Sequence, residues 1–339
     1  MKAAVITKDF QLQVWDLPEP SVGEYDVLCK IEYGTTCCGT DLRLMRGGHP
    51  RPIQYPTILG HESVGRVIEV GKKVKNFHCG DLVTRVGAPS GLLDGLTSSW
   101  GGFAEYGIAK DHWQMAKDGV ERDAWDRYRV NQIVPKGIDS KTAPMMITWR
   151  ETFSYVKRLG VRENSRVLVL GSGANALAFV AHCTNLGADV WCVGNKDRRA
   201  VFASHNIHNY YDYKNENLKE LLIQDHATAL DFIIDGIGTS GTVNKLLFLL
   251  KKNGVVGIYG WNDRDTAGIN PFMARDTFIL YSGGYDEEEA HEAVSAMILK
   301  GMLKANDWYD LQNPVPLSQI SDAYNDLKQH KALKILISF

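Results

Sequence analysis

No run in this chain approaches the roughly 18 consecutive apolar residues that a membrane helix needs, so no membrane partner is expected. The opening, MKAAVITKDFQLQVWDLPEP, lacks the apolar block and small-residue cleavage site of a secretory leader and alternates like a strand from Lys2. Charge of one sign is also missing. With 38 basic and 40 acidic residues the formal net charge is −2, which gives no general pull toward nucleic acid. Cysteine is sparse: Cys29, Cys37, Cys38, Cys79, Cys183 and Cys192 are the whole complement. A disulfide framework is not implied, and free thiols in a reducing cytoplasm are expected. Internal repeats and low-complexity segments are absent. What remains is an ordinary globular composition, 44% hydrophobic, in 339 residues, long enough for two domains.

The first 145 or so residues carry short β-branched runs between glycines, such as DVLCKIEYG, SVGRVIEVG and GDLVTRVG, which predict strands and turns. The Gly/Ser-rich stretch at 87–102 reads as a mobile loop. From about residue 147 the pattern changes. RVLVLGSG runs from an apolar strand into a glycine turn and on into a helix, and VWCVG forms a second strand before a helix from Asp197 to His205. LDFIIDGIG, a helix near Thr242–Leu250, and GVVGIYG follow. Apolar strands alternating with helices predict an α/β, doubly wound parallel sheet covered on both faces. The tail, a helix in DEEEAHEAVSAMILKGML and a strand in ALKILISF, fits either domain.

Gly171-Ser172-Gly173-Ala174-Asn175-Ala176 matches G-x-G-x-x-G/A directly after a strand and at the opening of a helix. Gly171 permits the tight turn, Gly173 lets a pyrophosphate approach the backbone, and the helix N-terminus supplies N–H donors and a positive dipole end. A nicotinamide dinucleotide is the cofactor implied. NAD sites place an acid at the end of the second strand, on the ribose hydroxyls. Here Gly194 falls at that position, which removes a carboxylate and leaves room for a 2′-phosphate. Asn195, Lys196 and Arg199 offer donors close by, with Arg198 adding charge, and Tyr213 is placed to pack on adenine. NADP(H) is therefore expected over NAD(H). Asp197 is the opposing residue, either as a helix N-cap or as a ribose partner.

Two segments carry metal chemistry: Cys37-Cys38-Gly39-Thr40-Asp41 and Gly60-His61-Glu62-Ser63-Val64-Gly65. Thiolate, imidazole and carboxylate together suit zinc, and a catalytic site keeps one position open. With Gly71, Gly80-Asp81 and Gly101-Gly102-Phe103-Ala104-Glu105-Tyr106 in order, the chain resembles the zinc-dependent medium-chain dehydrogenases. Among them it is nearest to the sorbitol, threonine and glucose dehydrogenase groups, and the likeness spans nearly the whole chain. The resemblance implies a β-rich GroES-like catalytic domain (1–146), a Rossmann cofactor domain (147–284), and a C-terminal segment (285–339) returning to the first. It also implies that Cys38 and His61 hold a zinc ion, with Glu62 as a direct or water-mediated partner. Thr40 would pass the substrate proton onward, and Cys37 would be a packing thiol.

Three positions depart from that pattern. No cysteine lies between Cys79 and Cys183, so a four-cysteine structural zinc lobe cannot form and one catalytic ion per chain is expected. Ile147 stands where the family offers a further ligand. Glu151, one turn later on the same helical face, either replaces it or is a plain surface or ion-paired glutamate. Arg43 takes the place of a relay histidine, with His49 as a distant substitute. Trp149 and Trp261 are candidates for a pocket wall beside the nicotinamide. The expected activity is hydride transfer between NADP(H) and a polyol, sugar or related secondary alcohol or ketone, in a homodimer or homotetramer. Two alternatives stay open: a zinc-free reductase of the same superfamily, and a non-catalytic binding or structural protein derived from it.

Overall fold

The computed structural model describes residues 1–49, 52–225, 227–260, 262 and 268–339, and Trp261 lies outside them. The chain divides into two units, Met1–Thr148 with Glu287–Phe339, and Trp149–Asp286.

In the first unit, Asp26–Thr35 is the central strand. Ser63–Val70 and Tyr106–Lys110 pair with it antiparallel. Leu336–Ser338 also pairs with it antiparallel, so the tail belongs to this unit. A second sheet runs Leu12–Asp16, Lys2–Ile6, Thr57–Ile58 and Thr97–Ser98. The stretch at 87–102, expected as a loop, thus contributes a strand. Alternation explains the burial, since Val27, Cys29 and Ile31 point to one face and pack with Val67, Phe77 and Val83. A separate core joins Ala4, Ile6, Leu59 and Phe103 to Ile320, Tyr324 and Leu327 of the helix Ile320–Lys328.

The second unit is the expected parallel sheet. Its strands lie in the order Asn209–Asp212, Asp189–Gly194, Arg166–Leu170, Leu230–Asp235, Leu250–Ile258, Phe278–Tyr281. All five pairings are parallel. Chain order reverses direction between Arg166–Leu170 and Leu230–Asp235, and such a switch point opens a crevice at the strands' carboxyl ends. The helix Ala174–Asn185 buries every residue from Ala176 to Cys183. The helix expected near Thr242–Leu250 is instead a 3-10 helix, Val243–Leu249, running straight into a strand that begins at Leu250.

Candidate active site

Strand register assembles the first site. Gly34 lies opposite Ser63, and the Thr35 N–H donates to the Glu62 carbonyl at 2.7 Å. The chain leaving one strand through Thr36 and Cys37 therefore runs beside the chain entering the other through His61 and Glu62. Thr35 also faces Leu336 across the sheet, which delivers Lys334 from the far end of the sequence. Gly60 makes the entry possible. Its φ is +96°, and a Cβ there would stand 2.5 Å from the Phe103 ring and 2.6 Å from its backbone nitrogen.

Donor atoms of Cys37, His61 and Glu62 lie within 4.8 Å of one another. The thiol in this group is that of Cys37, where the sequence pointed to Cys38. Cys38 follows it on a turn, where successive side chains diverge, and its Sγ faces the Leu333 carbonyl at 3.8 Å. Loss of water around that sulfur pushes its pKa up to about 12, although much of the residue is exposed. A half-buried thiol beside a buried imidazole and a buried carboxylate fits zinc's preference for borderline donors.

Asp41 lies behind His61. Its Oδ1 faces Nδ1 at 3.3 Å, and its Oδ2 accepts from the Cys37 N–H at 2.7 Å and the Tyr324 hydroxyl at 2.6 Å. Nδ1 is thereby directed at a carboxylate and Nε2 turns toward Glu62 at 3.7 Å, the arrangement that orients a metal-binding imidazole. Burial alone would lower the His61 pKa, but the Asp41 carboxylate and the Cys37 sulfur beside it outweigh that and hold it well above the ordinary value. Arg85 donates to the His61 carbonyl at 2.9 Å and pairs at 2.6 Å with Glu287, the first residue of the returning helix.

Glu62 is more fully engaged than the sequence indicates. Its Oε2 accepts from Lys334 and from Thr35, and its Oε1 accepts from Thr148 at 2.9 Å. Burial alone would raise its pKa, yet Lys334 and His61 hold it below the usual carboxylate value. Burial would pull Lys334 down, but Glu62 and then Cys37 hold it above its usual value. Thr148 follows the apolar Ile147 and reaches the site through Glu62. Thr40 stands half-buried at the start of the short helix Asp41–Leu44. Trp100 was not singled out by sequence, but its exposed indole lies 5.4 Å from the His61 ring and 6.1 Å from the His49 ring.

In the second unit the glycine turn fits a dinucleotide. Gly171 has φ +127°, a Cβ on Gly173 would meet nothing within 4 Å, and Gly173 caps the following helix without a side chain to close it. Ala174, Asn175 and Ala176 form the opening turn of that helix. At the second strand's end, Asn195 caps the next turn by accepting from the Asp197 N–H at 3.1 Å, the role expected of Asp197. Lys196 is exposed, and Tyr213 is exposed with Lys214 over its ring at 5.6 Å. Arg199 donates to the Tyr210 carbonyl at 2.7 Å. The room expected over Gly194 is filled: a Cβ there would lie 2.2 Å from the Tyr210 hydroxyl.

Glu151 is buried, and its oxygens accept from Tyr259 at 3.2 Å and Tyr285 at 3.0 Å. Both oxygens are thus engaged by tyrosines of the second unit. Trp149 is fully buried and packs within the same unit.

Residues 23–118 match the alcohol dehydrogenase GroES-like domain. The chain is 31% identical to glucose 1-dehydrogenase of Methanocella arvoryzae over 77% of its own length and 76% of that protein's. It is 23% identical to sorbitol dehydrogenase of Halalkalibacterium halodurans over 100% and 99%. In structure it overlays 2R,3R-butanediol dehydrogenase of Bacillus subtilis with a TM-score of 0.81 at 19% identity, covering 100% and 99% of the two chains. The chain belongs to the zinc-type medium-chain dehydrogenase/reductase superfamily. It is an oxidoreductase of the alcohol and polyol dehydrogenase kind.

Proposed function

We propose that this protein interconverts a secondary alcohol of a polyol or sugar with its ketone or lactone, using one zinc ion per chain and NADP(H). The observation that carries the reading is the Cys37–His61–Glu62 group, its imidazole and carboxylate buried and its thiol half-buried, with Asp41 behind the imidazole. Cys37 Sγ and His61 Nε2 are the donors assigned to the ion. Glu62 is the third, held in place by Lys334, Thr35 and Thr148. Zinc bound there supplies Lewis acidity that lowers an alcohol's pKa, and the nicotinamide supplies the hydride acceptor.

The chain's own side chains do the rest. Asp41 fixes the imidazole so that Nε2 faces the pocket. Lys334 neutralises the Glu62 carboxylate and keeps a second anion from opposing an ionising alcohol. Thr40 Oγ1, three residues from Cys37, accepts the proton the alcohol loses while passing its own onward toward the cofactor ribose. Trp100 offers an exposed aromatic face beside His61, and such a face suits the C–H side of a sugar or polyol. At the cofactor, the open turn at Gly171 and Gly173 receives the pyrophosphate. Lys196 and the Asn195 amide meet the ribose end with Tyr213 near the adenine.

Metal content separates this reading from a zinc-free reductase and from a non-catalytic relative. Elemental analysis should find close to one zinc per chain, with Cys37→Ser losing both metal and turnover and Cys38→Ser keeping metal. A Cys38→Ser protein that loses its zinc while Cys37→Ser retains it would overturn the assignment. Screening polyols, aldoses and sugar phosphates by NADPH and NADH absorbance tests substrate and cofactor together.

A further inference from the structure

The end of the second parallel strand is where a Rossmann site reads the adenosine ribose. Gly194 occupies the position an acid takes in NAD sites, and the chain therefore looks open there. It is not. A Cβ built on Gly194 would stand 2.2 Å from the Tyr210 hydroxyl, 2.9 Å from its Cζ and 2.9 Å from the Gly171 carbonyl. Tyr210 belongs to the neighbouring strand, Asn209–Asp212, with Cys192 opposite it in the parallel register.

The residue is held at both ends. Its hydroxyl donates to the Asn195 carbonyl at 2.8 Å, and its own carbonyl accepts from Arg199 at 2.7 Å. On the other side, the Gly171 carbonyl of the glycine turn lies 2.9 Å from the same Gly194 Cβ position. The phenol oxygen thus bonds the loop that carries Asn195, Lys196 and Arg199, beside the turn that receives pyrophosphate.

We propose that Tyr210 reads the 2′ position of the cofactor's ribose, its hydroxyl standing where a strand-end carboxylate stands in other sites. The proposal rests on the dinucleotide reading above and adds the residue that sets the choice. Burial raises the phenol's pKa, so the group stays neutral at working pH. A neutral hydroxyl does not repel a dianionic 2′-phosphate. By rotating its proton it can donate to that phosphate, and a hydrogen bond to a charged acceptor is the stronger kind.

Binding of NADPH and NADH to metal-free protein, followed by cofactor fluorescence without any alcohol, tests this. Tyr210→Phe keeps the ring and should weaken NADPH about tenfold and NADH about threefold or less, at a melting temperature near wild type. Gly194→Asp alone should gain no NADH affinity, because Tyr210 occupies the space. Gly194→Asp with Tyr210→Leu should bind NADH better than either single variant. Wild-type affinities in Tyr210→Phe, or a switch to NADH in Gly194→Asp alone, would overturn the proposal. Wild-type protein that binds neither dinucleotide would instead remove the reading beneath it.

Discussion

Replacing Lys334 with Met removes one half of an ion pair whose side chains are 1% and 2% exposed. The methionine fills most of the same volume, so little packing is lost, but the Glu62 carboxylate stays buried with its charge uncompensated. Breaking such a pair from one side costs about 3–5 kcal/mol, far more than an exposed pair would. Glu62→Gln should cost a comparable amount, since it leaves the Lys334 ammonium against the Thr36 carbonyl at 3.2 Å with no anion. The two losses should not add. In the double variant no charge remains to be neutralised, and at least about 2 kcal/mol of the summed loss should return. Urea unfolding of metal-free protein, followed by tryptophan fluorescence with chelator present, measures all four corners of the cycle. Additive losses, or singles that unfold like wild type, would refute the claim that Glu62 is held by Lys334. A second consequence follows for metal: Lys334→Met leaves Thr35 but no cation on Glu62 Oε2, and cobalt substituted for zinc should show a changed visible absorption spectrum.

Trp100→Ala should raise KM for the best polyol or sugar about tenfold, the scale of a lost aromatic stack, while kcat changes less than threefold and zinc content is unchanged. A fall in kcat with KM intact would place Trp100 outside the substrate pocket. His182 gives a pH test. Burial pushes its pKa down to about 3, with Thr152 Oγ1 at 3.1 Å as its partner. The unfolded chain takes up this proton first, so stability is full above about pH 6.5 and falls as pH drops toward 3. Between pH 7 and 5 this one group should remove about 2 kcal/mol, and His182→Asn should flatten that part of the slope in urea titrations.

The parts of this fold that sequence reveals are those whose physics is local. A strand, a glycine turn and a helix follow one another without interruption from Arg166 to Asn185, so the dinucleotide cradle is written in one contiguous segment. His61 and Glu62 are legible for the same reason, being adjacent residues behind a glycine that only glycine's backbone freedom allows. The choice between Cys37 and Cys38 is of another kind. Which of two consecutive side chains faces the pocket depends on where pairing of Asp26–Thr35 stops, and that is set by Ser63 on one side and Leu336 on the other. Lys334 meets Glu62 across 272 positions, a separation no spacing rule spans.

Gly194 shows why subtraction from a motif is a weak guide to space. A missing side chain at the end of one strand reads as a cavity only if nothing from the next strand enters it. In a parallel sheet the neighbouring strand's residues lie within reach, and whether one enters depends on its size and register. Tyr210 is large enough to do so, and Asn195 and Arg199 hold it there. The absence of an acid at 194 and the presence of a tyrosine at 210 are therefore one feature of the site. A chain with Gly at the first position and a small residue at the second would have a different pocket, and its cofactor choice would have to be argued afresh.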